Sequence, residues 1–409
     1  MYSRFKAFIF LTALIFGVVG LIAFLQGRAR ADKPLSGPIA IKAAKPADIQ
    51  ATPSAPGDIL QNWRADIGVP VLCYHQIVTE EKYRERPTPY AVTTTQFREQ
   101  MEFLAENNFY TILPDELLAY VRGQKALDFS NGRRPIVLTF DDGNNDFVDH
   151  AQKVLEKHNF KGVLFIYPTY IFAHKPRSLT WAQINAVRKA GHAIESHTMW
   201  HPMLSTMTDA EQKAQFVDSK KNLDEKGGAN VKHLAYPFGI YNASSAKLLK
   251  EVGYESAYTT FHGGNQVGED PYLLRRYLIV KGDSEKVFEQ KTLARSLPLK
   301  LLNSEPGGII EGPTALKLGL PRGLKRDGFK VRVFSTPREF EYTPETGEMT
   351  VQVVPSKKRL SVLEIVYKEN GVEYRANALL NHKRGAATEE EPKKTKKKKR
   401  KKKKRTQED

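Results

Sequence analysis

Two short segments of this 409-residue chain hold the side chains from which a hydrolytic centre can be built: Thr139-Phe140-Asp141-Asp142-Gly143 and His197-Thr198-Met199-Trp200-His201-Pro202. Two adjacent carboxylates, followed by a glycine that permits a sharp turn, can face one cavity and divide cation binding from proton transfer. Standing alone, such a triplet is as often a solvated turn. Imidazoles four residues apart fall on one side of a helical turn and suit Zn²⁺, Co²⁺ or Ni²⁺ better than Mg²⁺. Taken together, two imidazoles and a carboxylate with open coordination positions are the minimum set for activating a water. Cys73 is the only cysteine, so no intramolecular disulfide can form and a cysteine-rich cation site is excluded.

Both segments need strands to aim them. Apolar runs at 71–77, 110–113, 136–140, 162–167, 193–196 and 234–236 alternate with helical patterns: one after a Thr95 cap, one through Phe147 and Leu155, and others at 181–190, from Thr208 and at 243–252. Repeated βα units with nearly continuous apolar strands imply a parallel sheet covered by helices, as an open sheet or a barrel. In either case catalytic groups follow the carboxyl ends of strands, which is where both segments fall. After about residue 295 the pattern changes to short alternating runs punctuated by Gly and Pro, which predicts a small antiparallel, sandwich-like β domain.

The flanks read differently. Residues 7–25 are uncharged and long enough to span a bilayer, and Ala29-Arg30-Ala31 resembles a cleavage site, so 1–31 is expected to be a membrane anchor or a signal peptide. Either reading exports the rest, to face the periplasm or cell wall or to be secreted. Residues 32–66 form a Pro- and Ala-rich tether, 67–294 the α/β domain, 295–383 the β domain, and 384–409 a Lys/Arg-rich tail. The net charge of +17 belongs mostly to that tail, where twelve of the residues 393–405 are Lys or Arg. Such a run suits anionic envelope polymers or lipid head groups. Nucleic acid is a poor match, because the folded part lacks basic and aromatic interleaving.

T-F-D-D-G followed by H-T-x-x-H-P resembles the first two motifs of the polysaccharide deacetylases, the family four carbohydrate esterases, over roughly residues 70–280. The resemblance implies a distorted (β/α)₇ barrel, Asp141 as general base, and Asp142, His197 and His201 as ligands of one metal ion. The family's third motif usually reads Arg-x-Pro-Tyr-Gly; here it is Ala235-Tyr236-Pro237-Phe238-Gly239, which keeps a place for the Phe238 N–H as oxyanion donor but lacks the Arg. Leu274-Arg275-Arg276-Tyr277 resembles a later Leu-Pro-Arg segment, making Arg276 the candidate replacement. Val71-Leu72-Cys73-Tyr74-His75 stands on the first strand as in the permuted subgroup similar to the poly-N-acetylglucosamine deacetylases, with His75 as general acid. Strand alternation puts Val71, Cys73 and His75 on one face.

The implied activity is removal of acetyl groups from N-acetylglucosamine-type residues of a bacterial envelope polysaccharide, with Zn²⁺, or Co²⁺ or Ni²⁺, as cofactor. Peptidoglycan is the first expectation. The alternatives are poly-β-1,6-N-acetylglucosamine or a catalytically impaired polysaccharide-binding protein on the same fold. Trp200 and Tyr236 are candidate stacking platforms for sugar rings.

Overall fold

The computed structural model describes residues 68–293, 295–355 and 359–383. The expected anchor, tether and basic tail lie outside these residues. Among the described residues no helix is long and apolar enough to cross a membrane.

The apolar runs form short strands. In chain order they are β1 (Val71–Tyr74), β2 (Gln76–Val78), β3 (Ala91–Thr93), β4 (Phe109–Thr111), β5 (Arg134–Asp142), β6 (Gly162–Ile166), β7 (Ala193–Ser196), β8 (His233–Ala235), β9 (Ser256–Tyr258) and β10 (Tyr277–Leu278). One parallel sheet runs β10-β1-β5-β6-β7-β8-β9, with β4 also on β5, while β2 pairs with β3. The sheet curls until its edges approach. Leu274, just ahead of β10, accepts from Thr259 N at 2.7 Å and donates to Ala257 O at 3.0 Å, so the segment 274–278 meets β9 at one end and β1 at the other. The result is a distorted (β/α)₇ barrel.

Period-two alternation sorts the side chains. Val71, Val137, Val163, Phe165, Ala235, Tyr258 and Leu274 fill the interior. Leu72, Leu138, Leu164, Ile194 and Leu234 pack in a separate outer layer, each worth about 2 kcal/mol of burial. Caps start the covering helices. Thr93 caps Thr94–Glu106, and Thr180 with Gln183 and Thr208 with Glu211 make capping boxes for Trp181–Lys189 and Asp209–Gly227. The expected Thr95 cap moves two residues back because Glu80 Oε1 takes the Thr95 N–H at 3.1 Å, leaving Thr93 to accept from Gln96 N. The expected strand 71–77 breaks at His75, where the chain leaves the sheet to pair with β3.

Registers align the strand ends on one rim. Tyr74 is level with Phe140, Asp142 with Ile166, Ile166 with Ser196, and Ser196 with Leu234. One step further along, His75 falls beside Asp141 and His197 beside Ala235. Both sequence motifs therefore open onto the same end of the barrel.

The remaining strands are β11 (Arg295–Ser296), β12 (Lys300–Leu301), β13 (Ile309–Ile310), β14 (Thr314–Gly319), β15 (Phe329–Val333), β16 (Thr336–Pro337), β17 (Phe340–Thr343), β18 (Glu348–Val353), β19 (Leu360–Glu369) and β20 (Val372–His382). They make a sheet β11-β20-β19-β15-β16, with β13 on β20, and a second sheet β12-β14-β18-β17. Leu316, Leu318 and Val351 of one meet Val331, Ile365 and Ala376 of the other in a common core, so the two form a mainly antiparallel sandwich. It docks on the functional rim of the barrel: Asn381 Nδ2 donates to Tyr241 O at 3.0 Å and Gly307 O at 2.7 Å, and His262 N donates to Asn377 Oδ1 at 3.1 Å.

Candidate metal centre and active site

Asp142, His197 and His201 offer ligand atoms that all lie within 4.8 Å of one another. Asp142 Oδ1 stands 3.9 Å from His197 Nε2 and 3.8 Å from His201 Nε2. A cation about 2.1 Å from each ligand sets ligand–ligand edges near 3.4 Å, so the two carboxylate–imidazole edges are within about half an ångström of those of a coordination face. The tautomer also fits. His197 Nδ1 donates to Ala235 O at 2.7 Å, which leaves the Nε2 lone pair facing the site. Burial pushes the imidazoles of His197 and His201 below their usual range, keeping them in the neutral form that ligates. Asp142 is carried the other way, up to about 6, by burial, with His197 opposing and Asp141 adding repulsion. A divalent cation between these groups would hold Asp142 ionised.

The two imidazoles do not share a helical turn. Residues 197–203 lie outside any helix, and Thr198 and His201 have φ of 64° and 58°. Left-handed residues fold the loop back, bringing the ring centroids to 4.6 Å. Thr198 Oγ1 accepts from His201 N at 3.1 Å, Ser196 Oγ accepts from Thr198 N at 3.2 Å, and Ser196 pairs with Ser219 on the helix beneath. Asp142 and Phe238 are also left-handed, at 80° and 60°, so backbone strain gathers around the cluster. Gly143 has φ +86°, and a Cβ there would stand 3.1 Å from Ile166.

Asp141 is 3% exposed and held at both oxygens: Arg276 Nη1 donates to Oδ1 at 2.7 Å and Nη2 to Oδ2 at 2.9 Å. Arg276 is fully buried. Its Nε donates to Thr259 O, Nη1 also reaches Thr139 Oγ1, and the guanidinium lies over the Phe165 ring. Burial alone would raise the Asp141 carboxyl, but Arg276, with His197 and His75, holds it well below the usual carboxylate range. The Arg missing from the Ala235–Gly239 segment is thus supplied by the barrel-closing segment.

His75 sits on the other side of Asp141. Its Nδ1 faces Cys73 Sγ at 3.9 Å, its ring packs against Tyr90, and burial lowers its basicity. Phe238 closes the ring of groups, its side chain 4.6 Å from the His201 ring centroid. Gly239 fixes this loop, because a Cβ there would meet Thr260 N at 2.6 Å.

All seven residues singled out from the sequence therefore surround one mouth. Of the proposed sugar platforms, Trp200 is 38% exposed, whereas Tyr236 is fully buried against Tyr241 and cannot reach a ligand. Sequence reasoning missed the supports of His75: Asn144 Nδ2 donates to His75 O at 3.3 Å and Asp146 Oδ2 accepts from Ile77 N at 2.9 Å. Their only sequence signal was proximity to Asp141-Asp142. A larger groove, between Thr94–Glu106 and Glu285–Thr292, includes none of the seven.

The polysaccharide deacetylase family model matches residues 130–257, which include both motifs. A Bacillus subtilis protein, YxkH, named as a polysaccharide deacetylase, is 30% identical over 220 residues, covering 54% of this chain and 74% of its own length. The chain belongs to the polysaccharide deacetylase family. Among its deacetylase relatives, the poly-β-1,6-N-acetyl-D-glucosamine N-deacetylase of Staphylococcus epidermidis is 23% identical over 49% of this chain and 72% of that protein. The peptidoglycan-N-acetylglucosamine deacetylase of Bacillus cereus is 24% identical over 63% of this chain and 85% of that protein. Streptococcus pyogenes deacetylase PplD, solved with acetate, shares the fold with a TM-score of 0.51 at 24% identity, over 55% of this chain and 98% of that one. The deacetylase barrel is the part in common.

Proposed function

We propose that this polysaccharide deacetylase is a metal-dependent N-deacetylase of N-acetylglucosamine-type residues in a bacterial envelope polysaccharide, with peptidoglycan as the polymer. The observation that carries the reading is the meeting of the Asp142-His197-His201 ligand face with an Arg276-held Asp141 and with His75 on one barrel rim.

Two imidazoles and one carboxylate suit Zn²⁺, with Co²⁺ or Ni²⁺ as substitutes. When bound, the cation supplies Lewis-acid polarisation of the amide carbonyl and acidifies the attacking water. Asp141 accepts that water's proton. A carboxylate this acidic is a weak base, so it works only on a water already acidified. Arg276 keeps the carboxylate aimed and ionised, the Phe238 N–H donates to the developing oxyanion, and His75, in the protonated form that the neighbouring Asp141 charge favours, delivers its proton to the departing sugar nitrogen. Acetate and a free amine result. The two-pronged hold of Arg276 on Asp141 counts against reading the chain as a catalytically impaired binding protein.

Poly-β-1,6-N-acetylglucosamine is the second reading, favoured by His75 on the first strand and by the staphylococcal relative. An exported, envelope-held location follows from the expected N-terminal segment, with the basic tail on anionic polymers or lipid head groups. The test is acetate release from each polymer by protein of known metal content. Release from peptidoglycan that disappears with the bound metal when His197 and His201 are both changed to Ala is the expected result. Full metal content in that double variant would reject the ligand set, and release from the exopolysaccharide alone would reject peptidoglycan.

A further inference from the structure

A second set of donor atoms converges on the inner side of the same mouth. Cys73, His75 and Asp141 offer ligand atoms within 4.8 Å of one another. Cys73 Sγ lies 3.4 Å from Asp141 Oδ2 and 3.9 Å from His75 Nδ1. A tetrahedral cation bound about 2.3 Å from sulfur and about 2.1 Å from nitrogen or oxygen sets such edges near 3.5 Å. The parallel register contributes to the convergence: Cys73 is level with Thr139 and Tyr74 with Phe140, so β1 ends and the chain turns out at His75 where β5 reaches Asp141.

The donor set is softer than that of Asp142, His197 and His201 because it contains a thiol, and thiolate selects thiophilic cations.

We infer that Cys73, His75 and Asp141 form a second, inhibitory site for a thiophilic divalent cation such as Zn²⁺ or Cd²⁺, adjacent to the Asp142-His197-His201 face. On binding, the Cys73 thiol releases its proton to solvent as the sulfur–metal bond forms. Asp141 Oδ2 gives the cation the lone pair that had accepted the thiol, while both carboxylate oxygens stay on Arg276, and His75 Nδ1 completes the protein ligands. Occupancy removes the proton acceptor and the proton donor from the reaction together. That consequence, unlike the binding itself, rests on the roles proposed above for Asp141 and His75.

Since Cys73 is the only cysteine in the chain, a sulfur-to-cadmium charge-transfer band in the ultraviolet reports this site alone. The full chain, loaded with one equivalent of Zn²⁺, is titrated with Cd²⁺ while the band and acetate release are followed. The band should saturate at one equivalent as acetate release falls in parallel. Cys73→Ser should abolish the band and raise the half-inhibiting Cd²⁺ concentration by about tenfold or more, relative to that variant's own uninhibited rate. His75→Ala, which keeps the thiol, should shift the band's midpoint by a similar factor. Absence of a band at millimolar Cd²⁺, or a midpoint unmoved in His75→Ala, overturns the site. A saturating band with undiminished acetate release would instead overturn the inhibitory role and the roles given to Asp141 and His75. Near-ultraviolet circular dichroism checks that both variants are folded, and should Cys73→Ser not fold, the wild-type and His75→Ala titrations still decide.

Discussion

The side-chain amide of Asn381 bridges two carbonyls, Tyr241 O on the barrel and Gly307 O on the sandwich, at 3.0 and 2.7 Å. Tyr241 stands two residues after Gly239 of the Phe238-Gly239 turn, so Asn381 links the sandwich to the loop that carries the proposed oxyanion donor. Asn381→Ala strands both buried carbonyls, at a cost of about 1–3 kcal/mol for each group left unsatisfied. The urea midpoint should drop and acetate release should fall with metal content unchanged. Unaltered release in a destabilised variant would show that the sandwich supports the fold without positioning the loop.

Arg276 and Asp141 form a fully buried, two-pronged pair, so the two obvious substitutions should differ. Arg276→Met leaves the carboxylate buried without a partner and should destabilise the fold by about 3–5 kcal/mol. Arg276→Lys preserves the charge but not the fork, so it should fold, retain metal, and lose activity through kcat more than KM. Equal kcat values for Arg276→Lys and the parent would remove Arg276 from the aiming of Asp141. Thermal unfolding and steady-state acetate release measure both.

Asp141 and Asp142 are neighbours with separate proposed tasks. Asp142→Asn should lower metal occupancy, because a neutral amide oxygen is a poorer ligand for a divalent cation. Asp141→Asn should keep the metal and lose about 10²–10⁴-fold in rate. Paired elemental analysis and acetate assays separate the two outcomes. Near-parental turnover in metal-replete Asp141→Asn would dismiss Asp141 as the base.

His192, at the opposite end of β7 from His197, titrates with the fold. Burial, with Lys161 nearby, lowers its pKa from about 6.5 to about 4, and its Nδ1 accepts from Gly162 N at 2.9 Å. A depressed folded-state value means that the unfolded chain binds the extra proton between those limits. His192 therefore adds stability, about 3 kcal/mol, that is present above pH 6.5 and lost as the pH falls toward 4. His192→Asn keeps an acceptor for Gly162 N–H without the titration. Urea midpoints measured from pH 4 to 7 should rise less steeply in this variant than in the parent.

What could be read beforehand was whatever rests on local chemistry. Apolar strands ending in Asp141-Asp142-Gly143 and leading into His197 signalled a parallel α/β fold with its chemistry at the strand ends. The backbone course between His197 and His201 could not be read, because left-handed Thr198 and His201 defy their propensities and depend on Ser196, Ser219 and the helix below. Tyr236 looked available for stacking because its burial against Tyr241 depends on tertiary packing. The docking of the sandwich was also hidden, since Asn381 and Tyr241 lie 140 residues apart and no periodicity connects them.

Arg276 belongs to the segment that completes the barrel, 135 residues after Asp141. Without residues 274–278 docked, Asp141 would have neither the guanidinium beside it nor the fork that orients it. Closure of the barrel and the orientation of Asp141 therefore depend on the same segment, in which Leu274 exchanges hydrogen bonds with Thr259 and Ala257. Loosening that one segment would therefore cost the barrel its seam and the proposed base its orientation together.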